Sequence, residues 1–569
     1  MKLIWKRLKK YRLPLAAAFV MLVLSTVCSV ALPTLMTNIV DYGIGEKDLH
    51  YVFRTAGIMA GVAIADALLV VAAYWLETKA LEAFGRDLRA EIFRKATSLS
   101  PDEFAKFGAG GLITRSIEDA DRVGEVVSTL MSALSAIPFT MIFGTVLAFR
   151  RDPLLALILF AFVPVLIAVV LPVSRKVHPL WKTSDEYMDK QNALVRSRLS
   201  GIRVVRAFNR EGAEQEKIAS ATRVMADNII RANVRAGLIS PVCMFLLNFA
   251  TVLILGVGAF RISLPSSSLT VGGILAVIEY VGMIMSGFLS ISFTISEVPR
   301  VRVNCARIGE VLSAPVPSER ADASPLSGGI SLSEVSYRYP GSEGDALSGV
   351  TMDILPGERA AVIGGTGSGK STLVRLLSGL ALPTSGELRF DGRRREEMSG
   401  KNIRDGVSCV LQRDTIFSGT LRDNVAAGRQ VSDDEVISAL RDAQLYDFAA
   451  EREEGINYPV TQRGGNLSGG QKQRLAIARA IVKPAAVYIF DDSFSALDFL
   501  TESRLRARLS ERLKAKTQIV VTQRVSTAMS CDKIFVFDGG RLVASGTHAQ
   551  LMETCSVYRE IEKSQSGIR

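Results

Sequence analysis

Asn466-Leu467-Ser468-Gly469-Gly470-Gln471, then Val487-Tyr488-Ile489-Phe490-Asp491-Asp492, then Ser495-Ala496-Leu497-Asp498 is the stretch on which the rest of the chain depends. Leu467 to Gln471 is a glycine turn entering a helix, and the free amides of a helix start, backed by the positive end of its dipole, suit a phosphate. Val487 to Phe490 is an apolar run of the buried-strand type. It sets Asp491 at the carboxyl end of a strand, where open α/β sheets bind ligands and where a carboxylate can hold Mg²⁺.

Upstream, Ala360 to Ile363 reads as another buried strand, followed by Gly364-Gly365-Thr366-Gly367-Ser368-Gly369-Lys370-Ser371-Thr372. This is the phosphate-loop pattern ahead of a helix. Its glycines let backbone amides wrap phosphate oxygens, Lys370 reaches the β and γ phosphates, and the Ser371 hydroxyl ligates Mg²⁺. Ile330 to Tyr337 alternates as a strand, and Lys533 to Phe537 with Arg541 to Ala544 flank Asp538-Gly539-Gly540 as a hairpin.

Composition divides the 569 residues in two. Up to about Ile295 long apolar runs alternate with charged stretches, and beyond Ala314 the chain reads as a soluble α/β domain. Ala314 to Gly329 is rich in Pro, Ser and Gly and marks the linker, giving a membrane domain over 1–313 and a nucleotide-binding domain over 330–569. Six segments are long enough to cross hydrocarbon, at about 13–40, 52–77, 124–149, 153–174, 237–261 and 269–296. The Lys/Arg-rich N-terminus ahead of Leu13 leads into an apolar run too long for a signal peptide, so it is read as an uncleaved first span.

Lys79 to Arg122 carries eight Lys/Arg and Arg175 to Arg235 carries thirteen, which places both stretches and both termini on the cytoplasmic side. Arg150 and Arg151 fall in a loop assigned outside and disagree with that topology. The net charge of +11 lies largely beside the apolar runs, where anionic membrane lipid and not nucleic acid accounts for it. Leu81, Phe84, Leu88 and Ile92 recur at helical spacing, so span two continues past the bilayer. The six cysteines and three histidines have no metal-site spacing. Asp66 and Glu279 lie mid-span, where a carboxylate needs a wet cavity or a partner, and they are the candidates for contacting a cationic amphiphile.

These motifs in this order resemble the ATP-binding cassette (ABC) transporters, in particular bacterial exporters that fuse one membrane domain to one nucleotide-binding domain. The resemblance covers nearly the whole chain. It implies an all-α six-helix transmembrane domain followed by an α/β P-loop ATPase domain with a helical subdomain, using ATP and Mg²⁺ at the bacterial cytoplasmic membrane. It assigns Tyr339 to stack on adenine, Gln412 to a loop that contacts Mg²⁺, and Pro101–Gly110 and Gly201–Glu211 to short coupling helices. It further implies two cassettes packed head to tail, so that Leu467, Ser468, Gly469, Gly470 and Gln471 act in trans on a partner's nucleotide.

Two positions depart from the family pattern. Working members carry Glu directly after the magnesium aspartate and His at the start of the segment that here begins at Gln523; this chain has Asp492 and Gln523. A carboxylate one methylene shorter falls about 1.5 Å short, and misplacement of that order costs about a hundredfold. Glutamine lacks the proton chemistry of imidazole. A heterodimer is therefore expected, in which this chain binds ATP at a degenerate site while its intact signature completes the site of a partner with Glu and His, together moving small amphiphilic drugs or lipids outward. The alternatives are a homodimeric exporter of drugs, lipids or peptides, a same-fold importer of a metal chelate, and a soluble ATPase of the same class acting on DNA or ribosomes, which the six spans exclude.

Overall fold

The structure is a computed structural model, describing residues 2–264, 269–316, 324–412 and 415–566. Residues 317–323 of the expected linker lie outside them. The chain forms two compact units, one of residues 1–97 and 107–314, the other of 98–106 with 315–569.

The first unit is helical. Its long helices are Arg12–Asn38, Leu49–Ser98, Glu118–Arg151, Pro153–Ser200, Glu211–Gly237, Ile239–Ile262 and Val271–Ser313; all but Glu211–Gly237, which leads into Ile239–Ile262, cover an expected span. Among the described residues, four helical stretches are long and apolar enough to cross a membrane: Trp5–Ile44, Leu49–Ser98, Ala109–Arg151 and Glu211–Ile262. Pro153–Phe162 and Val271–Gly287 are shorter apolar stretches. The fourth helix continues well beyond residue 174, running through Pro179, as the second does beyond 77.

Helix Val271–Ser313 packs along Glu118–Arg151 about a core that includes Ala148, Ile254, Tyr280 and Ile284. Small residues permit the close approach, since a Cβ on Gly144 of Glu118–Arg151 would sit 3.3 Å from Ile284 Cδ1. The periodic set Leu81, Phe84, Leu88 and Ile92 is buried in a separate cluster with Leu112, Val123 and Ile308. Arg150 and Arg151 form the last turn of their helix, where cations complement the dipole. The next residue, Asp152, is only 2% exposed, caps helix Pro153–Ser200 by accepting from Leu154 and Leu155 N–H, and is paired with Arg261 Nη2 at 2.6 Å.

In the second unit, strands β1 (Ile330–Tyr337), β2 (Leu347–Ile354) and β4 (Ser385–Phe390) build an antiparallel sheet with β1 in the middle, closed at one edge by Arg393–Arg394. Strands β3 (Arg359–Gly364), β5 (Val407–Val410), β6 (Val487–Asp491), β7 (Thr517–Thr522), β8 (Lys533–Asp538) and β9 (Arg541–Gly546) form the second sheet, in the order β9-β8-β3-β7-β6-β5. Neighbours in it run parallel except the hairpin β8-β9. β3, β6 and β7 are almost wholly buried, as apolar strands covered on both faces should be. A helical layer packs around Leu421, Val436, Leu440 and Leu475.

Candidate nucleotide-binding site

The parallel sheet sends three neighbouring strands, β3, β7 and β6, toward one edge, and each ends in a group expected to handle nucleotide. β3 runs into the phosphate loop, where Gly367 and Gly369 have φ of +82° and +98°. A Cβ on Gly369 would meet Leu347 Cδ2 at 2.7 Å and the Ala346 carbonyl at 2.9 Å, so glycine is required there. Lys370 opens helix Lys370–Leu377 and folds back, its Nζ donating to the carbonyls of Gly364 at 2.8 Å and Gly365 at 2.6 Å. Gly367 to Thr372, together with Asp345, Gly539 and Gly540, line a cleft of about 330 Å³.

A second cleft, of about 140 Å³, brings together Thr366, Gly367, Lys370, Ser371, Gln412, Asp491, Asp492 and Gln523. Thr366 and Gln523, far apart in the sequence, thus line one space because β3, β7 and β6 lie side by side in the sheet. Asp491 is 4% exposed. Burial, and then the charge of Asp492, lifts its carboxyl above the ordinary range, while the Ser371 hydroxyl, Lys370 and the Gln412 backbone N–H pull it down. Asp492 is lifted by burial against the charges of Arg524 and Lys370, and the Lys370 ammonium is lowered by burial against both carboxylates. The site thus sets a cation and two carboxylates in partial desolvation. Ser371, Gln412 and Asp491 carry hard oxygen donors of the kind Mg²⁺ takes alongside phosphate, so this set fits that ion and would be the one to hold it.

Asp492 sits at φ +48°, an unusual backbone state that aspartate tolerates better than most residues. Its N–H donates to the Val521 carbonyl at 2.9 Å, and its carbonyl accepts from Ser495 Oγ at 2.9 Å. Gln523 follows directly on β7 and lines the same cleft. Its carbonyl accepts from Gln565 Nε2, and Gln565 Oε1 accepts the Val525 N–H at 2.9 Å, so helix Ser556–Ser566 holds this segment in place.

Ser468 caps helix Gly469–Val482 through a reciprocal capping box with Gln471, and Leu467 is buried. None of Leu467 to Gln471 lines either cleft. Tyr339 lies half-buried just past β1, its hydroxyl 3.1 Å from Thr372 Oγ1. Among the mid-span carboxylates, Asp66 accepts from the hydroxyls of Ser25 and, at 2.9 Å, Ser29 on the first long helix, whereas Glu279 is exposed.

Asn424, which ends the Phe417 to Asn424 stretch that continues the family pattern after Gln412, is 1% exposed; its amide donates to the carbonyls of Phe417 at 2.8 Å and Thr420 at 3.0 Å and accepts from Phe417 N–H and Arg479. Sequence reasoning passed over Gln565 and Gln473. Their signal is only a polar side chain in an amphipathic helix, which any solvated face supplies.

A helical, membrane-spanning unit joined to a phosphate-loop domain with an aspartate at a strand end of the same sheet defines a membrane-integral ATPase. Residues 15–288 match the family model described as ABC transporter transmembrane region, and 347–495 match that of the ABC transporter. The chain is 34% identical over 573 residues to an uncharacterized ABC transporter ATP-binding protein of Mycobacterium tuberculosis, covering 99% of this chain and 98% of that one. It is 29% identical over 571 residues to the ATP-dependent lipid A-core flippase of Burkholderia thailandensis, covering 99% and 95%. The structure of a bacterial Atm1-family ABC exporter with ATP bound superposes with a TM-score of 0.82 at 22% identity, over 98% of this chain and 99% of that one, and so shares its fold. The chain belongs to the ABC transporter family, as a protein with transmembrane and ATP-binding domains fused.

Proposed function

We propose that the chain is one subunit of a heterodimeric ATP-driven exporter that moves amphiphilic compounds, drugs or lipids, out across the cytoplasmic membrane, with both termini and the cassette on the cytoplasmic side. Its own phosphate loop forms a slow, ATP-retaining site. Its signature, Leu467 to Gln471, completes the competent site of a partner that carries Glu and His. The observation that carries this is the composition of the catalytic cleft: Asp492 and Gln523 line the same space as Lys370, Ser371 and Asp491, at the two positions where the family pattern requires a longer acid and an imidazole. A site so built retains its phosphate and Mg²⁺ donors and lacks the groups that activate water.

Likeness over full length to a lipid A-core flippase supports an amphiphilic, lipid-like cargo and outward movement. Asp66 and Glu279 are the candidate contacts for a cationic cargo, checked by Asn and Gln replacements in a transport assay. The test of the assembly is to purify the chain alone in lipid nanodiscs and measure ATP hydrolysis. Near-background turnover, rescued by a half-transporter with Glu and His, is the expected result. Fast, drug-stimulated turnover by the chain alone returns it to the homodimeric reading.

A further inference from the structure

The adenine end of the site is tied to a residue far away in the sequence. Arg375, on helix Lys370–Leu377 behind the phosphate loop, places its guanidinium carbon 5.1 Å from the centre of the Tyr339 ring. Tyr337 meets the same ring edge-on, with centroids 5.1 Å apart and planes at 87°. Asp102, on the short helix Pro101–Phe107, accepts from Arg375 Nη2 at 2.7 Å through one oxygen and from the Tyr337 hydroxyl at 3.1 Å through the other. One carboxylate therefore holds both groups that bound the Tyr339 ring, and Thr372 holds its hydroxyl. Burial, and then the charge of Asp102, pushes the Tyr337 phenol up to about 12, so it remains a donor at neutral pH. Residues 98–106 belong to the same compact unit as the cassette while continuing the chain directly from helix Leu49–Ser98.

We propose that Asp102 is a positioning residue for the nucleotide base: by anchoring Arg375 and Tyr337 it fixes the Tyr339 ring in the orientation that receives adenine. This rests on Tyr339 being the base-stacking residue. The physical basis is preorganisation. Arginine is long and rotamer-rich, and without a carboxylate its guanidinium restrains the ring less, so more order must be imposed each time a base binds. The contacts of Lys370 with the loop carbonyls do not pass through Asp102. The effect therefore falls on the base and spares the phosphates.

The experiment uses the full chain in nanodiscs at physiological ionic strength and measures displacement of a fluorescent ATP analogue by ATP and by inorganic tripolyphosphate, which has no base. Asp102→Asn is expected to weaken ATP about three- to tenfold, the range an aromatic contact contributes, and to leave tripolyphosphate within about twofold. Asp102→Glu, which keeps the charge, is expected to recover most of the loss. Unchanged ATP affinity in Asp102→Asn, or parallel weakening of ATP and tripolyphosphate, overturns the inference. Tyr339→Ala separates the two levels. If it loses the preference for ATP while Asp102→Asn keeps it, the positioning role fails alone; if Tyr339→Ala keeps that preference, base stacking on Tyr339 fails and the positioning role fails with it.

Discussion

Gln473, one turn into the helix that follows the signature, accepts the backbone N–H of Ala496 at 3.1 Å, and its amide lies 3.3 Å from Ser495 Oγ. A single side chain thus ties the signature helix to the loop after Asp492, whose own carbonyl is held by Ser495. Gln473→Ala is expected to leave ATP binding at Lys370 intact and to lower turnover of the assembled transporter by roughly tenfold, since displacing a loop by a fraction of an ångström suffices for such losses. Steady-state hydrolysis measured beside a nucleotide titration checks the separation.

A Cβ on Gly469 meets only the Ala496 Cβ, at 3.9 Å, so the fold has room for a larger residue there. Gly469→Asp should therefore fold normally and act by putting a negative charge against a partner's phosphates. Turnover of the assembled pair is expected to be abolished by Gly469→Asp or Ser468→Arg and lowered far less by Asp492→Asn. Equal losses contradict the division of labour proposed above. Ser468→Ala isolates the cap alone, with an expected loss of about 1 kcal/mol of helix stability.

If the missing methylene and the missing imidazole are what slow the chain's own site, Asp492→Glu combined with Gln523→His should raise ATP hydrolysis by the chain alone by tenfold or more, within the roughly hundredfold that such misplacement costs. The φ of +48° at position 492 makes Glu less comfortable than Asp, so a drop in thermal stability is expected alongside the gain.

Asn424 joins the segment after Gln412 to the signature helix, because Arg479 Nε donates to its carbonyl at 2.8 Å and Arg479 Nη2 to its side-chain oxygen at 2.9 Å. Asn424→Leu leaves buried donors and acceptors unmatched and is expected to destabilise the cassette by about 2–4 kcal/mol. A denaturant titration with intact protein reports the shift in midpoint.

Asp391 closes the start of β1 by accepting from Ser327 N–H and Oγ, both at 2.6 Å, and from the N–H groups of Gly328 at 3.1 Å and Gly329 at 2.7 Å. Burial alone would raise its carboxyl, but these donors together hold it below the usual aspartate range. The native state thus binds the proton less readily than the unfolded chain. The stabilisation is complete above the unfolded aspartate value and is lost as pH falls through the lower folded value. Asp391→Asn, which tolerates the φ of +50°, should lower stability at neutral pH and flatten this part of the acid limb of an unfolding-against-pH series.

Much of the site was legible because its chemistry is local. The glycine loop before Lys370, the apolar strand delivering Asp491 and the capped turn at Ser468 each need a fixed residue type at a fixed spacing, so they survive as motifs. The helical repeat of Leu81, Phe84, Leu88 and Ile92 was legible for the same reason, and all four are buried together. Strands β2, β4 and β5 went unread. They are short or mixed in polarity, and β1 gains its partners only when β2 and β4 flank it.

By itself the sequence determined that this chain has apolar helices joined to a phosphate-binding cassette, because backbone conformation and strand burial follow from neighbours a few residues apart; that a longer acid and an imidazole belong at Asp492 and Gln523 is what the family resemblance implies. Only the tertiary structure decided that Asp102 grips Arg375 across 273 positions, that Gln565 braces Gln523 across 42, and that Lys370, Gln412, Asp491 and Gln523, from separate elements, face one cleft. Hydrogen bonds between distant side chains leave no periodic or spacing signal, since the order of strands in the sheet, and not the order of residues in the chain, sets which of them meet.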